Sequence, residues 1–177
     1  MKQIKILTIG QIAYVDSQRY FIGQLGNVDG VSLQFSGSGP AVPELKEYVQ
    51  KNQLANVTFT GRYQKQEEPG IVEKTDMINI WLKNDINADS CMANRFYLCA
   101  QLRKPMIVNA GTYMADLCEE YKLGVVVKED DDFKSVIKRW YENYEFDTFS
   151  SQCQLYLESV KQDIICFENK LVSLYRQ

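Results

Sequence analysis

The stretch ANRFYLCAQLRKPMIVNAGT, residues 93–112, decides the fold of this 177-residue chain. It reads as a helix over about 92–103 that feeds a short buried strand, MIVN (106–109). Thr112 then suits the N-cap of a further helix running to about Tyr121. The first helix opens oddly. Its start carries Asn94 and Arg95, where the helix dipole is positive and favours acidic side chains. A cation there costs roughly 0.3–1 kcal/mol unless something compensates it. Free helix amides and an added cation together suit a bound phosphate. The competing reading is a salt bridge from Arg95 to Asp85 or Asp89 in the preceding polar loop.

Strand and helix signals alternate outward from this unit. Apolar runs predict strands at 4–10 (IKILTIG), 31–37 (VSLQFSG), 56–61 (NVTFTG), 77–82 (MINIWL) and 124–127 (GVVV). Helices are predicted at 15–27, at 43–53 behind Pro43, and at about 69–75 behind Pro69. Short apolar strands separated by helices imply an α/β fold, a doubly wound, parallel, six-stranded sheet covered on both faces. In such Rossmann-like sheets a ligand lies beyond the carboxyl ends of the strands. Candidate loops therefore begin at Gly10, Gly37, Gly61, Lys83 and Asn109.

Beyond residue 128 the pattern is helical only. Phe133, Val136, Ile137, Trp140, Tyr141 and Tyr144 share one helical face, behind Asp130, Asp131 and Asp132. Cys153, Leu157, Val160, Ile164, Phe167, Leu171 and Leu174 then recur at alternating steps of four and three, a heptad-like stripe. The stripe suits a terminal helix packed on its own body, or a face meant for another domain or protomer. Residues 1–177 thus read as a single domain, with an α/β core over 1–128 and C-terminal helices over 129–177.

Composition removes several function classes. With 20 basic and 23 acidic residues the chain lacks the basic excess of a nucleic-acid binder. No apolar run reaches the ~18 residues of a transmembrane helix, and MKQIKILTIG is too short in its apolar part for a signal peptide. The five cysteines are odd in number and show no CxxC spacing, which fits a reducing, cytoplasmic compartment. There is no histidine, so histidine-based nucleophile systems, bases and metal ligands are absent.

The remaining motifs each have two readings. SGSGP (36–40) follows the second strand and lacks a third glycine, so it fits a tight turn better than a phosphate loop. Gly10 either lets a ligand approach the backbone or makes a plain turn. Gly61, Arg62 and Tyr63 either hold a base and an anion or form a solvated loop. Glu67 and Glu68 read as a solvated run, and no carboxylate pair is spaced as a general base, so no catalytic residue is assigned.

Taken in order, LTIGQIAY, LQFSGSGPAVPELKEYV, NVTFTGRY, TDMINIWL, ANRFYLCAQLRKPMIVNAGT and YKLGVVV resemble successive pieces of the C-terminal, donor-binding domain of GT-B glycosyltransferases of the group-1, retaining superfamily. The 93–112 stretch matches the family's PNKLFEYLALGKPVIVS-GT without a gap. The chain is most similar to transferases of bacterial capsular or surface polysaccharide synthesis. The resemblance implies a nucleoside-diphosphate sugar as donor, a saccharide or lipid-linked acceptor, no metal and no further cofactor. It implies a cytoplasmic protein, at the inner face of the membrane where the acceptor is lipid-linked. Donor contacts would come from Gly10 and Gln11, from Gly61, Arg62 and Tyr63, from Lys83 and Ser90, and from Asn94 and Arg95. The last two match the family's Asn-Lys pair near the donor phosphates; Arg62 and Lys83 would assist.

This chain departs from the family at three points. The superfamily's two glutamates fall here on Ser90 and Leu98, neither a carboxylate. Basic residues of its first loop fall on Gln11 and Asp16. The N-terminal, acceptor-binding domain has no counterpart, so the chain is expected to be a fragment of a longer enzyme or to work with a separate partner. In GT-B proteins the terminal helix commonly reaches across to that domain, which would account for the stripe at 153–174; in isolation the stripe would form a homodimer. The rival reading is a non-catalytic Rossmann-like interaction module associating through the 151–175 helix. A phosphoacceptor receiver domain fits poorly, because Gly10-Gln11 and Thr60-Gly61 stand where it needs acids.

Overall fold

The computed structural model describes residues 3–83 and 92–175. Six parallel strands build one sheet: β1 (Ile4–Gln11), β2 (Val31–Ser38), β3 (Val57–Gly61), β4 (Met77–Asn79), β5 (Met106–Asn109) and β6 (Gly124–Val127). Their spatial order is β3-β2-β1-β4-β5-β6. The chain winds outward from β1 to β3, returns to place β4 on the other side of β1, and winds outward again. The strand order therefore reverses between β1 and β4, where a doubly wound sheet opens a crevice.

Helices cover both faces, and side chains alternate between them with the period of two that strands impose. Ile6, Leu33, Phe35 and Ile107 face one layer, made by α1 (Val15–Leu25), α2 (Val42–Lys51) and α6 (Phe133–Glu142). Leu7, Ile9, Ile78, Met106 and Val108 face the other, made by α3 (Glu68–Glu73), α4 (Asn94–Gln101), α5 (Tyr113–Glu120) and α7 (Phe146–Tyr175). Thr112 caps α5 as its position suggests: its hydroxyl accepts from the Ala115 amide at 3.1 Å.

Two elements differ from the sequence-based expectation. The fourth strand leaves the ladder before residue 82. Ile80 still donates to Ile107, but the Trp81 amide turns to the Asn79 side-chain carbonyl at 3.0 Å. That turn buries Trp81 against Tyr20, with ring centroids 5.5 Å apart, while its indole N–H donates to the Val127 carbonyl. The terminal helix starts at Phe146, ahead of the stripe, because Phe149, Cys153 and Tyr156 anchor its first half in the second core. From Lys161 to Leu174 every residue is exposed.

The buried thiols Cys99, Cys118 and Cys153 are free, as is exposed Cys166. Among the described residues, no helix is long and apolar enough to cross a membrane.

Candidate functional site

The SGSGP turn is fixed by how closely β2 approaches β1. A Cβ on Gly37 would lie 2.0 Å from the Gly10 carbonyl oxygen, and one on Gly39 would lie 2.1 Å from that of Ile12. These glycines bring the two strand ends together. Gly10 differs. Its φ of +97° lies in the left-handed region, and nothing stands within 4 Å of where a Cβ would be. The space beside it is a cavity of about 910 Å³.

Three parts of the chain line this cavity. The end of β1 contributes Gly10 and Gln11, the segment after β3 contributes Tyr63, Lys65 and Glu68, and α4 contributes Asn94, Arg95 and Leu98. Tyr14 stands at its side. The fold thus joins residues more than 80 positions apart at the carboxyl end of β1.

The start of α4 is short of negative charge. Ala93 precedes it without a side-chain cap, and its first turn holds no acidic residue. The leading amides of a helix have no partner within it. Arg95 is partly buried and, among the described residues, makes no hydrogen bond or ion pair. Burial pushes its pKa down, the direction for a cation drawn out of water. The ionisable groups around it are the Cys99 thiol and the Tyr63 and Tyr14 phenols. Cys99 is held far above the ordinary thiol range by burial, and Tyr63 is pushed up to about 12, so neither supplies an anion at neutral pH. Among the described residues the cavity therefore sets a cation with no counter-charge beside the leading amides of α4, an arrangement that suits a phosphate.

The opposite wall corrects the reading of 67–68 as a solvated run for Glu68, whereas Glu67 is exposed as expected. Glu67 accepts from the Gln64 amide at 2.6 Å and closes a capping box on the short 3-10 turn Lys65–Glu67. That turn swings Glu68 inward until it is only 6% exposed. Its carboxylate accepts from the Tyr63 hydroxyl at 2.8 Å and from the Lys65 ammonium at 2.5 Å. Sequence reasoning missed Glu68. The available signal was the i,i+3 spacing of Lys65 and Glu68.

The other expected residues lie apart from the cavity lining. Arg62 is exposed and donates to the Ser38 hydroxyl at 3.2 Å. Gly61 has a φ of +78° and terminates β3. The Lys83 ammonium pairs with Glu129 at 2.9 Å and sits 5.9 Å from the centre of the Tyr20 ring. It borders a separate hollow with Asp16 and Arg19. Ser90, and the salt-bridge candidates Asp85 and Asp89, lie outside the described residues.

This fold and cavity are of the kind found in nucleotide-binding doubly wound proteins. Among solved structures the chain is similar to Anabaena Alr3699/HepE in complex with UDP and glucose: TM-score 0.73 and 14% identity over 96% of this chain and 49% of that one. It is similar to sucrose-phosphate synthase of Thermosynechococcus elongatus, with TM-score 0.69 and 14% identity over 97% of this chain and 46% of the other. It is also similar to WaaG, a glycosyltransferase involved in lipopolysaccharide biosynthesis, with TM-score 0.64 and 12% identity over 86% and 41%. At these identities the likeness is one of fold: the chain shares the doubly wound, Rossmann-like fold of part of each of these proteins, and it spans less than half the length of these three. No protein-family model matches the sequence, and no curated protein matches it.

Proposed function

We propose that this chain is the donor-binding unit of a glycosyltransferase and holds a nucleoside-diphosphate sugar in the cavity at the end of β1. The observation that carries this is Arg95. It is a partly buried cation on the first turn of α4, facing the cavity with no anionic partner among the described residues. The diphosphate would lie between Arg95, the leading amides of α4 and the bare backbone at Gly10, with Asn94 beside it. Tyr63, held by Glu68, offers a ring along the wall for the base or ribose. Leu98 stands on the cavity wall; by the sequence resemblance its place belongs to a carboxylate, so the ribose would be held here by other groups.

The reaction would displace the nucleoside diphosphate from the sugar, with Arg95 and the amides stabilising charge as it develops on the leaving phosphate. A second, acceptor-binding domain would bring the saccharide or lipid-linked acceptor across the cavity mouth. Resemblance to transferases of capsular and surface polysaccharide synthesis, and the structural likeness to WaaG, a glycosyltransferase involved in lipopolysaccharide biosynthesis, support that pathway class; a lipid-linked acceptor would set the site of action at the cytoplasmic face of the membrane. Titration with UDP, GDP, ADP and their sugars, followed by amide NMR, tests the binding step. Shifts should centre on Gly10, Tyr63 and Asn94–Arg95. No response at millimolar nucleotide removes the proposal.

The second reading is an interaction module of the same fold. Leu98 and the exposed half of α7 favour it. It predicts no nucleotide response together with self-association or capture of a partner through α7.

A further inference from the structure

Glu68 brings the one carboxylate among the described residues that line the cavity at the end of β1. Each of its oxygens is engaged once. Oε1 accepts from the Lys65 ammonium at 2.5 Å and Oε2 from the Tyr63 hydroxyl at 2.8 Å. An ionised carboxylate has about four lone-pair sites, so both oxygens can accept again. The Lys65 ammonium likewise carries N–H donors beyond the one spent on Glu68. Lys65 and Glu68, both on the cavity wall, therefore present a donor followed by a pair of acceptors.

Tyr63 fixes where that array meets a ligand. Its hydroxyl ends on Glu68, so a base stacked flat on the ring has its outer edge at the carboxylate. Arg95 and the Tyr63 phenol bias each other's ionisation across the cavity. A diphosphate against Arg95 thus delivers its nucleoside towards this ring. Stacking does not choose between bases, because every base has an aromatic face. The edge does. Guanine presents an acceptor, O6, followed by two donors, N1–H and N2–H, which is the complement of the Lys65–Glu68 array. Uracil sets its N3–H between two carbonyls, one of which would face a carboxylate oxygen. Adenine and cytosine put an acceptor ring nitrogen beside the amino group and meet the same conflict.

We propose that Glu68, with Lys65 beside it, makes this a guanine site, so that the donor is a guanosine-diphosphate sugar. This rests on the donor-binding reading of the same cavity and narrows it. Other bases still bind through the diphosphate and the stack, weaker by roughly tenfold or more, as a lost bidentate base contact implies.

Calorimetric titration of the 177-residue chain with GDP, IDP and UDP tests it. GDP should bind roughly tenfold or more tighter than UDP. IDP keeps N1–H but lacks the 2-amino group, so it should fall between them. Glu68→Gln puts an amide N–H where one acceptor stood and should bring the GDP and UDP affinities together, with circular dichroism confirming that the variant stays folded. Glu68 also anchors Tyr63, but a loosened ring weakens both nucleotides alike, so the ratio of the two affinities isolates the base contact. A native chain that binds GDP and UDP equally, or UDP more tightly, overturns the guanine site and leaves the donor-binding reading standing. A GDP preference that survives Glu68→Gln overturns it in the same way. Silence towards all three nucleotides removes the donor-binding reading, and the guanine site with it.

Discussion

The Tyr63 hydroxyl donates to the Glu68 carboxylate at 2.8 Å, and this bond ties the strand-end loop to the first turn of α3 along one wall of the cavity. Lys65 binds the other carboxylate oxygen, so the negative charge of Glu68 is already met. Across the cavity the positive charge of Arg95 meets no anion among the described residues. That asymmetry, one wall neutralised and the other cationic, is the basis for reading the site as an anion receptor.

Removing Arg95 should separate binding from stability. Arg95→Met deletes a charge-assisted contact worth about 1.5–3 kcal/mol, so nucleoside-diphosphate affinity should fall roughly ten- to a hundredfold. The melting temperature of the free protein should hold or rise, because a partly buried cation with no partner among the described residues is lost. A structural arginine would behave oppositely, with melting falling and affinity little changed. Calorimetric titration and thermal melts distinguish the two.

Lys83→Ala provides the matched control. Its ammonium is committed to Glu129 and lies apart from the cavity lining, so the substitution should leave nucleotide affinity within about twofold, while loss of the exposed ion pair should cost at most ~1 kcal/mol of stability. A tenfold loss of affinity would mean that Lys83 reaches the donor after all.

Glycine substitutions should rank by what a methyl group would strike. Gly39→Ala drives a Cβ into the Ile12 carbonyl and should cost about 3 kcal/mol or more, as severe overpacking does. Gly10→Ala meets open space and carries only the left-handed backbone penalty of roughly 1–2 kcal/mol. Urea denaturation measures both. Gly10→Ala should in addition lower nucleotide affinity, since its methyl group would project beside the cavity.

The Tyr63–Glu68 bond has a pH signature. Burial, then the hydrogen bond to Glu68, raises the Tyr63 pKa to about 12. A pKa raised on folding means that the bond's contribution is complete below the unfolded tyrosine value near ~10 and is lost as pH climbs through about 12. The ring-carbon resonance of Tyr63 should therefore titrate late, and Glu68→Gln should bring its midpoint down. An unchanged midpoint in that variant would remove Glu68 as a cause.

Much of this fold was legible because parallel strands covered on both faces are short and apolar, and glycine or asparagine closes several of them. GVVV and MIVN form β6 and β5 over the residues expected. The end of MINIWL was not legible. Only the tertiary position of Asn79, buried against Thr8 and Gln18, shows that its side chain intercepts the Trp81 amide. At the site, Arg95 could be singled out because it offends a local rule, the polarity of a helix start. Glu68 offends none. An exposed-looking EE pair gives no hint that a capping box on Glu67 will rotate its neighbour inward. Lys83 sat at a strand end facing the right direction in sequence, but its ion pair is made with Glu129, a residue no local pattern connects to it.

A nucleoside diphosphate held against Arg95 at the start of α4 is what the proposed function requires. Its most direct test is a phosphorus NMR titration of UDP into the chain and its Arg95→Met variant, with amide shifts recorded in parallel. The native chain should shift the diphosphate resonances and the amides of Gly10, Asn94 and Arg95 together, and Arg95→Met should lose both while remaining folded. UDP resonances unmoved by the native chain, or moved equally by the variant, would contradict it.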